Sequence, residues 1–354
     1  MPRQPAVELA RAGATLPDAA ASTCAPAFHR LVRTEFGRLA ARRFTRVLLA
    51  LSVIGHLVAI GFIWHSHARV TPGDIAQASA QRDQQIAEIT RSVNDCLSQA
   101  RNQSDRLNCG DVPTSEQFGY DLYLRNHPFR PDQVFDYALA VGVGVALVGF
   151  VLGATFIGAE WSSKNLVAWL FWEPRRLRLM AAKLLALLGS VLVLAILAQA
   201  AWLVTARVML HFRGSAVSTV GPQATHFWSH VVDAQLRSAV LVLVTACMGF
   251  ALASLLRNTA AAFGVAFVYF AVVETVLRAI NPDLQPYLFT TGLAAWASNS
   301  GITVEGRPEY QQQFESIGPK EIFVSNVHGG LVLLIFALVL IAAALTLFRR
   351  QDIS

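Results

Sequence analysis

Charged residues are scarce in this sequence. They make up 15% of 354 residues, whereas hydrophobic residues make up 54%. A soluble domain carries about 25% charged residues, so the deficit excludes an ordinary soluble protein and indicates a membrane protein. The phosphate-loop pattern Gly-x-x-x-x-Gly-Lys-Ser/Thr is also missing, so we expect no ATP bound through such a loop of its own.

Residues typical of intramembrane catalysis are scarce as well. No His-Glu-x-x-His pattern occurs. The candidates inside the spans are few: His56, Gln199, and the pair Glu274 and Arg278, which at a spacing of four residues can form an ion pair with each other. We therefore expect no catalytic residue, no metal site and no enzyme activity in this chain.

Six apolar runs are long enough to cross a bilayer core of about 30 Å as helices. They predict an all-α integral membrane protein of six transmembrane helices. The runs are approximately 46–64, 135–157, 183–206, 234–256, 259–278 and 328–348.

The distribution of basic residues predicts the orientation of these helices. The termini and the connections on their side hold 16 basic and 6 acidic residues, against 10 and 14 in the two long opposite loops, 65–133 and 278–327. Basic residues favour the inner face, so both termini should be cytoplasmic, and the net charge of +6 needs no nucleic acid partner. Arginine outnumbers lysine 26 to 3, which suggests a bacterial protein and hence the plasma (inner) membrane.

The segment before the first span is rich in arginine. Residues 1–27 are rich in Ala and Pro and should form a disordered cytoplasmic tail. From residue 28 onward, apolar residues alternate with arginines at helical spacing, so 28–64 should comprise an interfacial amphipathic helix and the first span. The alternative is a charged flank that only orients the span. The arginines of the predicted helix are Arg33, Arg38, Arg42 and Arg43.

A large extracytoplasmic region, 65–133, separates the first two spans; we call it the cap. Its first half lacks Gly and Pro after Gly73 and predicts a helix, while its second half contains prolines and aromatic residues typical of a small folded unit. Cys96 and Cys109 would face an oxidising compartment, where a bond closing their short loop could contribute about 3 kcal/mol.

The remaining chain divides into spans two to five (134–278), a second extracytoplasmic loop (279–327) and the last span with its tail (328–354). Within that second loop, residues 284–296 are too apolar for a solvated loop and too short to span. They predict a re-entrant or interfacial helical pair.

The connection between spans two and three, residues 158–183, is unusually charged and aromatic. It contains Glu160, Lys164 and four further charges before Lys183, together with three tryptophans. Trp161, Trp169 and neighbouring apolar residues could share one face of a short helix that begins after Ser162 and Ser163 and ends before Pro174. The simpler alternative is that Trp and Arg only anchor the chain at the inner interface.

The pattern of this connection resembles the first cytoplasmic loop of type-2 ABC transporter permeases. The shared features are Gly158-x-Glu160, Ser163-Lys164-Asn165-Leu166, Leu170, Pro174-Arg175-Arg176 and Lys183-Leu184-Leu185. The chain departs from the family at Lys164-Asn165, where a Gly-Thr step is usual, and in its tryptophan-rich run. Outside the cap the resemblance extends over about 28–350, including LLRNTAAA between spans four and five.

The resemblance implies an ABC-2 permease subunit that pairs with a second permease subunit, identical or not, and with a separate ABC ATPase subunit that binds ATP and Mg. The connection would then act as a coupling helix. Its polar contacts would be Glu160, Lys164 and Asn165, with Trp161 and Trp169 on the same helix.

The spans contain almost no buried charge, which favours outward transport of an apolar or amphipathic molecule. Gly153 and Gly264 could lie along the path, since glycine permits close helix contact, although packing alone also explains them. A different class of function, a non-transporting sensor or scaffold whose cap binds a ligand, is the alternative.

Overall fold

The computed structural model describes residues 28–100, 109–112, 114, 118–125, 127–163, 176–214, 227–311 and 316–350. The predicted disordered tail, 1–27, lies outside these residues. Lys164, Asn165 and Trp169 of the predicted coupling helix lie outside them too.

Among the described residues, six helices are long and apolar enough to cross a membrane, which supports a multi-pass membrane protein. Four of them exceed the predicted runs at both ends, and the 30 residues of α4 correspond to about 45 Å of helix, more than the bilayer core requires. The six are α2 (Arg43–Ser66), α4 (Gln133–Ser162), α5 (Arg176–Arg213), α6 (Phe227–Leu256), α7 (Thr259–Ile280) and α9 (Asn326–Arg350).

The predicted amphipathic helix is present as α1 (Phe28–Ala41). It is separated from α2 by Arg42, whose backbone is extended (φ −65°, ψ 131°). Leu31 and Leu39 are buried where α1 packs against α5. Protein therefore covers these two leucines of α1, whereas Phe36, Arg33 and Arg43 remain exposed.

Helices α4 and α6 form the centre of the bundle. Their backbones approach so closely that a Cβ atom on Gly153 would collide with the Ala246 carbonyl oxygen, and one on Gly249 with the Phe150 carbonyl oxygen. The Thr245 hydroxyl adds a hydrogen bond of 2.9 Å to the Ala146 carbonyl oxygen across the same interface. Small residues at a helix crossing allow such contact in membranes, where packing drives association.

Contacts between helix ends show which of these ends lie together at each end of the bundle. At one end, which we call the cap end, the Phe129 N–H donates to the Arg213 carbonyl oxygen (2.9 Å) and the Arg213 guanidinium lies 4.4 Å from the Trp64 ring centroid. At the other, the connection end, α1 meets the end of α4 and the start of α5. The loops and the connection thus attach to opposite ends of the bundle.

The cap contains α3 (Pro72–Gln99), as the sequence predicts. Thr71 and Asp74 form a capping box at its start, and the hydrogen bonds from the Thr71 N–H and hydroxyl lower the pKa of the Asp74 carboxyl. Cys96, near the end of α3, is bonded to Cys109. The disulfide therefore closes the chain that follows α3 back onto the helix.

We expect this disulfide to be measurable by thiol counting. The chain has four cysteines, so denatured, non-reduced protein should show two reactive thiols, from Cys24 and Cys247, and reduced protein four. In the Cys96→Ser/Cys109→Ser variant the cap should become sensitive to protease while the spans stay protected, because the loop is no longer constrained. Four thiols before reduction would contradict the bond.

The second long loop departs from the all-α prediction. It contains the expected helical pair, a 3-10 turn (Pro282–Tyr287) followed by α8 (Phe289–Trp296). It then forms an antiparallel hairpin of β1 (Ile302–Gln311) and β2 (Ser316–Val324). The Gln285 side chain donates to the Glu305 carbonyl oxygen (2.7 Å), which fixes the hairpin to the turn.

Candidate functional site

The connection end contains a cluster of five charged side chains from three helices and the break between α1 and α2. Glu35 and Arg38 lie on α1, Arg42 lies at the break between α1 and α2, Glu160 lies in the last turn of α4, and Lys183 lies in the second turn of α5. We call these five residues the ion cluster. It joins both ends of the connection to α1.

Lys183 lies at the centre of the ion cluster. Its ammonium group is 2.8 Å from Glu35 Oε2 and 2.7 Å from Glu160 Oε2. The contact with Glu35 is an aligned hydrogen bond, whereas the one with Glu160 is a close ion pair outside that geometry. Lys183 and Glu35 are fully buried and Glu160 is 6% exposed, so each of the three charges depends on its neighbours for stabilisation.

Arg42 fastens the α1–α2 break to the end of α4. Its guanidinium donates to Glu160 Oε1 (2.7 Å) and to the Phe156 carbonyl oxygen (2.9 Å), and its Cζ lies 4.9 Å from the Phe156 ring centroid. Charge-assisted bonds of this kind are short and directional. The break in the helix therefore does not free α1 from the bundle.

Arg38 completes the ion cluster toward the surface. Its guanidinium is 3.1 Å from Glu35 Oε1 and its side chain is 35% exposed. Three cations thus accompany two carboxylates in the cluster. With every buried charge paired, the arrangement suits a fixed joint between helices better than acid–base chemistry, which needs a group free to exchange protons with substrate.

A second set of contacts surrounds the cluster. Trp161 lies between Arg257, whose guanidinium is 5.0 Å from the indole ring centroid, and Phe348 near the end of α9, at 6.1 Å between rings. Gly158 lies directly against Thr259 at the start of α7, where a Cβ would collide with the Thr259 side chain. The end of α4 therefore contacts the turn between α6 and α7, the start of α7 and the end of α9.

The structure corrects two expectations about the connection. Glu160 does not present a free carboxylate to a partner, because Arg42 and Lys183 hold it inside the chain. Trp161 does not lie on a coupling helix separate from α4: α4 continues through Ser162, and the Ser163 N–H bonds back to the Ala159 carbonyl oxygen (3.1 Å). The short helix predicted after Ser163 lies outside the described residues.

The two glycines proposed for the path differ. Gly153 is at the close α4–α6 contact, whereas Gly264 on α7 is exposed, and a Cβ there would meet no atom within 4 Å. The close helix contact predicted for Gly264 is therefore not made with any of the residues that the structure describes.

Sequence reasoning missed Glu35. It is the only acidic residue of α1, and it lies four residues from both buried leucines, Leu31 and Leu39. That spacing puts a carboxylate on the buried face of an otherwise basic helix, which is a signal for a buried ion pair. The partner, Lys183, lies 148 positions away and could not be assigned by spacing.

No model of a known protein family matches the chain, and a search of curated proteins found no match.

Proposed function

We propose that this chain is the membrane-spanning permease subunit of an ATP-driven ABC-2 type transporter that exports an apolar or amphipathic molecule. A separate ABC ATPase subunit would bind ATP and Mg, and a second permease subunit would complete the path. The observation that carries the proposal is the ion cluster, which fastens both ends of the connection and α1 into one block.

The physical argument concerns how a displacement is transmitted. A partner that pushes on residues 164–175 acts on the ends of α4 and α5 on either side of them. Since Lys183 and Glu160 are ion-paired at 2.7 Å and α1 is bonded to both, the three ends are expected to move together. Buried, mutually paired groups hold a geometry that solvated side chains do not.

Two properties of the helices support the proposal. The lack of charge along α4 supports an apolar or amphipathic cargo, and the exposed apolar surfaces of α2 and α7 support a second subunit. Within α4, no charged residue occurs between Asp136 and Glu160, so a strongly ionic cargo would meet few partners there. The surfaces of α2 and α7 are mostly exposed and apolar in the single chain. Lipid or a second permease subunit would cover them.

The test is purification of the tagged, full-length chain from its native membranes in mild detergent, with identification of the bound subunits by mass spectrometry. We expect an ATPase with a phosphate-binding loop in fixed stoichiometry, whose ATP hydrolysis changes when the complex is placed in lipid with its cargo. A preparation with no such ATPase would contradict the proposal.

Charge reversal in the connection should weaken ATPase docking. A mismatched charge at a desolvated interface costs about 2–5 kcal/mol, so Lys164→Glu combined with Asn165→Ala should reduce ATPase affinity at least about tenfold. The matched control is Lys320→Glu on β2 at the cap end, which should leave docking unchanged. Equal affinity in both variants would show that the connection is not the docking surface.

The alternative is a non-transporting sensor whose cap binds a ligand. The disulfide-closed cap built on α3 favours it. It predicts that purified chain without an ATPase binds a ligand through the cap, and that deletion of 72–125 abolishes that binding.

A further inference from the structure

A second buried charged cluster lies at the cap end, outside the site described above. The Glu274 carboxylate of α7 is only 2% exposed, although it lies in an apolar helix. It accepts a hydrogen bond from the Thr290 N–H (3.1 Å) and one from the Thr290 hydroxyl, and Arg278, 3.5 Å away, pairs with it. Buried carboxylates in membrane helices are costly and usually have a role.

The Glu274 carboxylate replaces a missing helix cap. The residue at the N-cap position of α8 is Leu288, whose side chain has no oxygen to accept from the first N–H groups of α8. These groups need an acceptor, and a carboxylate there also interacts favourably with the positive end of the helix. Glu274 on α7 supplies both, so the start of α8 depends on a neighbouring helix.

The other side of α8 is held differently. Gly292 packs against Gly329 of α9 so closely that a Cβ on either would contact the other's carbonyl oxygen, and the Trp296 ring occupies the space beside Gly330. The α8–α9 contact is thus close-packed. Helix α7 contacts α8 through the Glu274 and Arg278 side chains, and through Tyr269, which bonds the Phe289 backbone.

Helix α7 has a local irregularity directly before Glu274. Residues Tyr269–Val273 form a π-helical turn. Such turns are insertions in the α-helical ladder and often mark functional positions. The segment of α7 after the turn, Glu274–Ile280, can therefore change direction without unwinding the rest of the helix.

We propose that Glu274 is a latch: it holds the outer segment of α7 on α8, and its release lets that segment move away while α8 stays on α9. The latch is a property of this chain's fold. Its use in opening the path at the cap end rests on the proposed function.

Hydrogen–deuterium exchange of the full-length chain tests the latch without any transport assay. In Glu274→Ala the amides at the start of α8 should exchange at least tenfold faster, because the Thr290 N–H loses its acceptor. Glu274→Gln, which keeps an acceptor oxygen, and Thr290→Val, which keeps the N–H bond, should give smaller increases. Peptides from the centre of α4 should not change. The control is Asp132→Ala, which removes a carboxylate from an exposed pair with Arg130 at the same end.

A distance measurement tests the movement. Spin labels on the exposed residues Ile280 and Val327, in a background without Cys24 and Cys247, should report a broader and longer distance distribution in Glu274→Ala than in the parent. Unchanged exchange of α8 together with an unchanged distribution would overturn the latch. Loss of the folded protein in all three variants would also overturn it, since the contact would then belong to the global fold. If a complex that carries Glu274→Ala transports normally while α8 exchanges faster, the latch exists but is not needed for transport.

Discussion

Replacing Lys183 with methionine should lower the free energy of unfolding by about 3–5 kcal/mol, the cost of leaving a buried charge without its partner. Methionine fills the space of the alkyl chain but cannot neutralise the carboxylates of Glu35 and Glu160, both of which Lys183 contacts within 2.8 Å. Chemical denaturation in mixed micelles, followed by tryptophan fluorescence, measures the change.

Two further variants identify the cause of that loss. Adding Glu35→Gln to Lys183→Met should restore part of the stability, because one of the unpaired carboxylates becomes neutral. Arg38→Met should cost no more than about 1 kcal/mol, because its ion pair is partly solvated. An equal loss in Lys183→Met and Arg38→Met, or no rescue by Glu35→Gln, would show that burial of the ion cluster does not set the stability of this end.

The ion cluster also changes the expected role of α1. As a free amphipathic helix it would sit in the headgroup layer and orient the first span. Fixed through Glu35 and Arg42 to α5 and α4, it becomes part of the block that bears the connection. A partner that contacts α1 would then act on the same two helices as one that contacts residues 164–175.

The local sequence pattern is sufficient to predict helices, because a helix depends mainly on residues that are close in the sequence. The six spans follow from apolar runs of adequate length. Helix α1 follows from the helical spacing of its apolar residues and arginines, and α3 follows from a run without Gly or Pro after Gly73. The hairpin did not follow, because Gly306 and Pro308 interrupt β1 at a register shift, and both residues argue against a regular strand.

The ion pairs of the candidate site join residues that are far apart in the sequence, so the sequence alone could not predict them. The resemblance assigns Glu160 to the polar contacts of a coupling helix that docks on a partner. Its partners in the structure are Arg42, at the break between α1 and α2, and Lys183 on α5. A buried ion pair and an exposed docking charge use the same residue types, so only the packing of α1 distinguishes them.

The last expected result concerns the glycines. Gly153→Leu should destabilise the chain by more than about 3 kcal/mol, or prevent its accumulation, because the new side chain must displace the backbone of α6. The Cβ alone would lie 2.9 Å from the Phe250 nitrogen. Backbone in a packed helix cannot move aside as a flexible side chain can, so α4 and α6 would have to separate along their whole contact.

Two glycines provide matched controls. Gly144 lies on the same helix, α4, and Gly264 lies on α7, and a Cβ at either meets no atom within 4 Å. In both, leucine should be neutral or stabilising by up to about 1 kcal/mol, since it removes the cost of glycine within a helix.

Unfolding of all three variants in detergent gives the comparison, and equal stability of Gly153→Leu and Gly144→Leu would contradict the close α4–α6 contact. Under the proposed function, a folded Gly264→Leu chain that binds an ATPase subunit but no longer transports would mean that this face of α7 contacts the proposed second subunit or cargo, since the described residues of its own chain leave the position open.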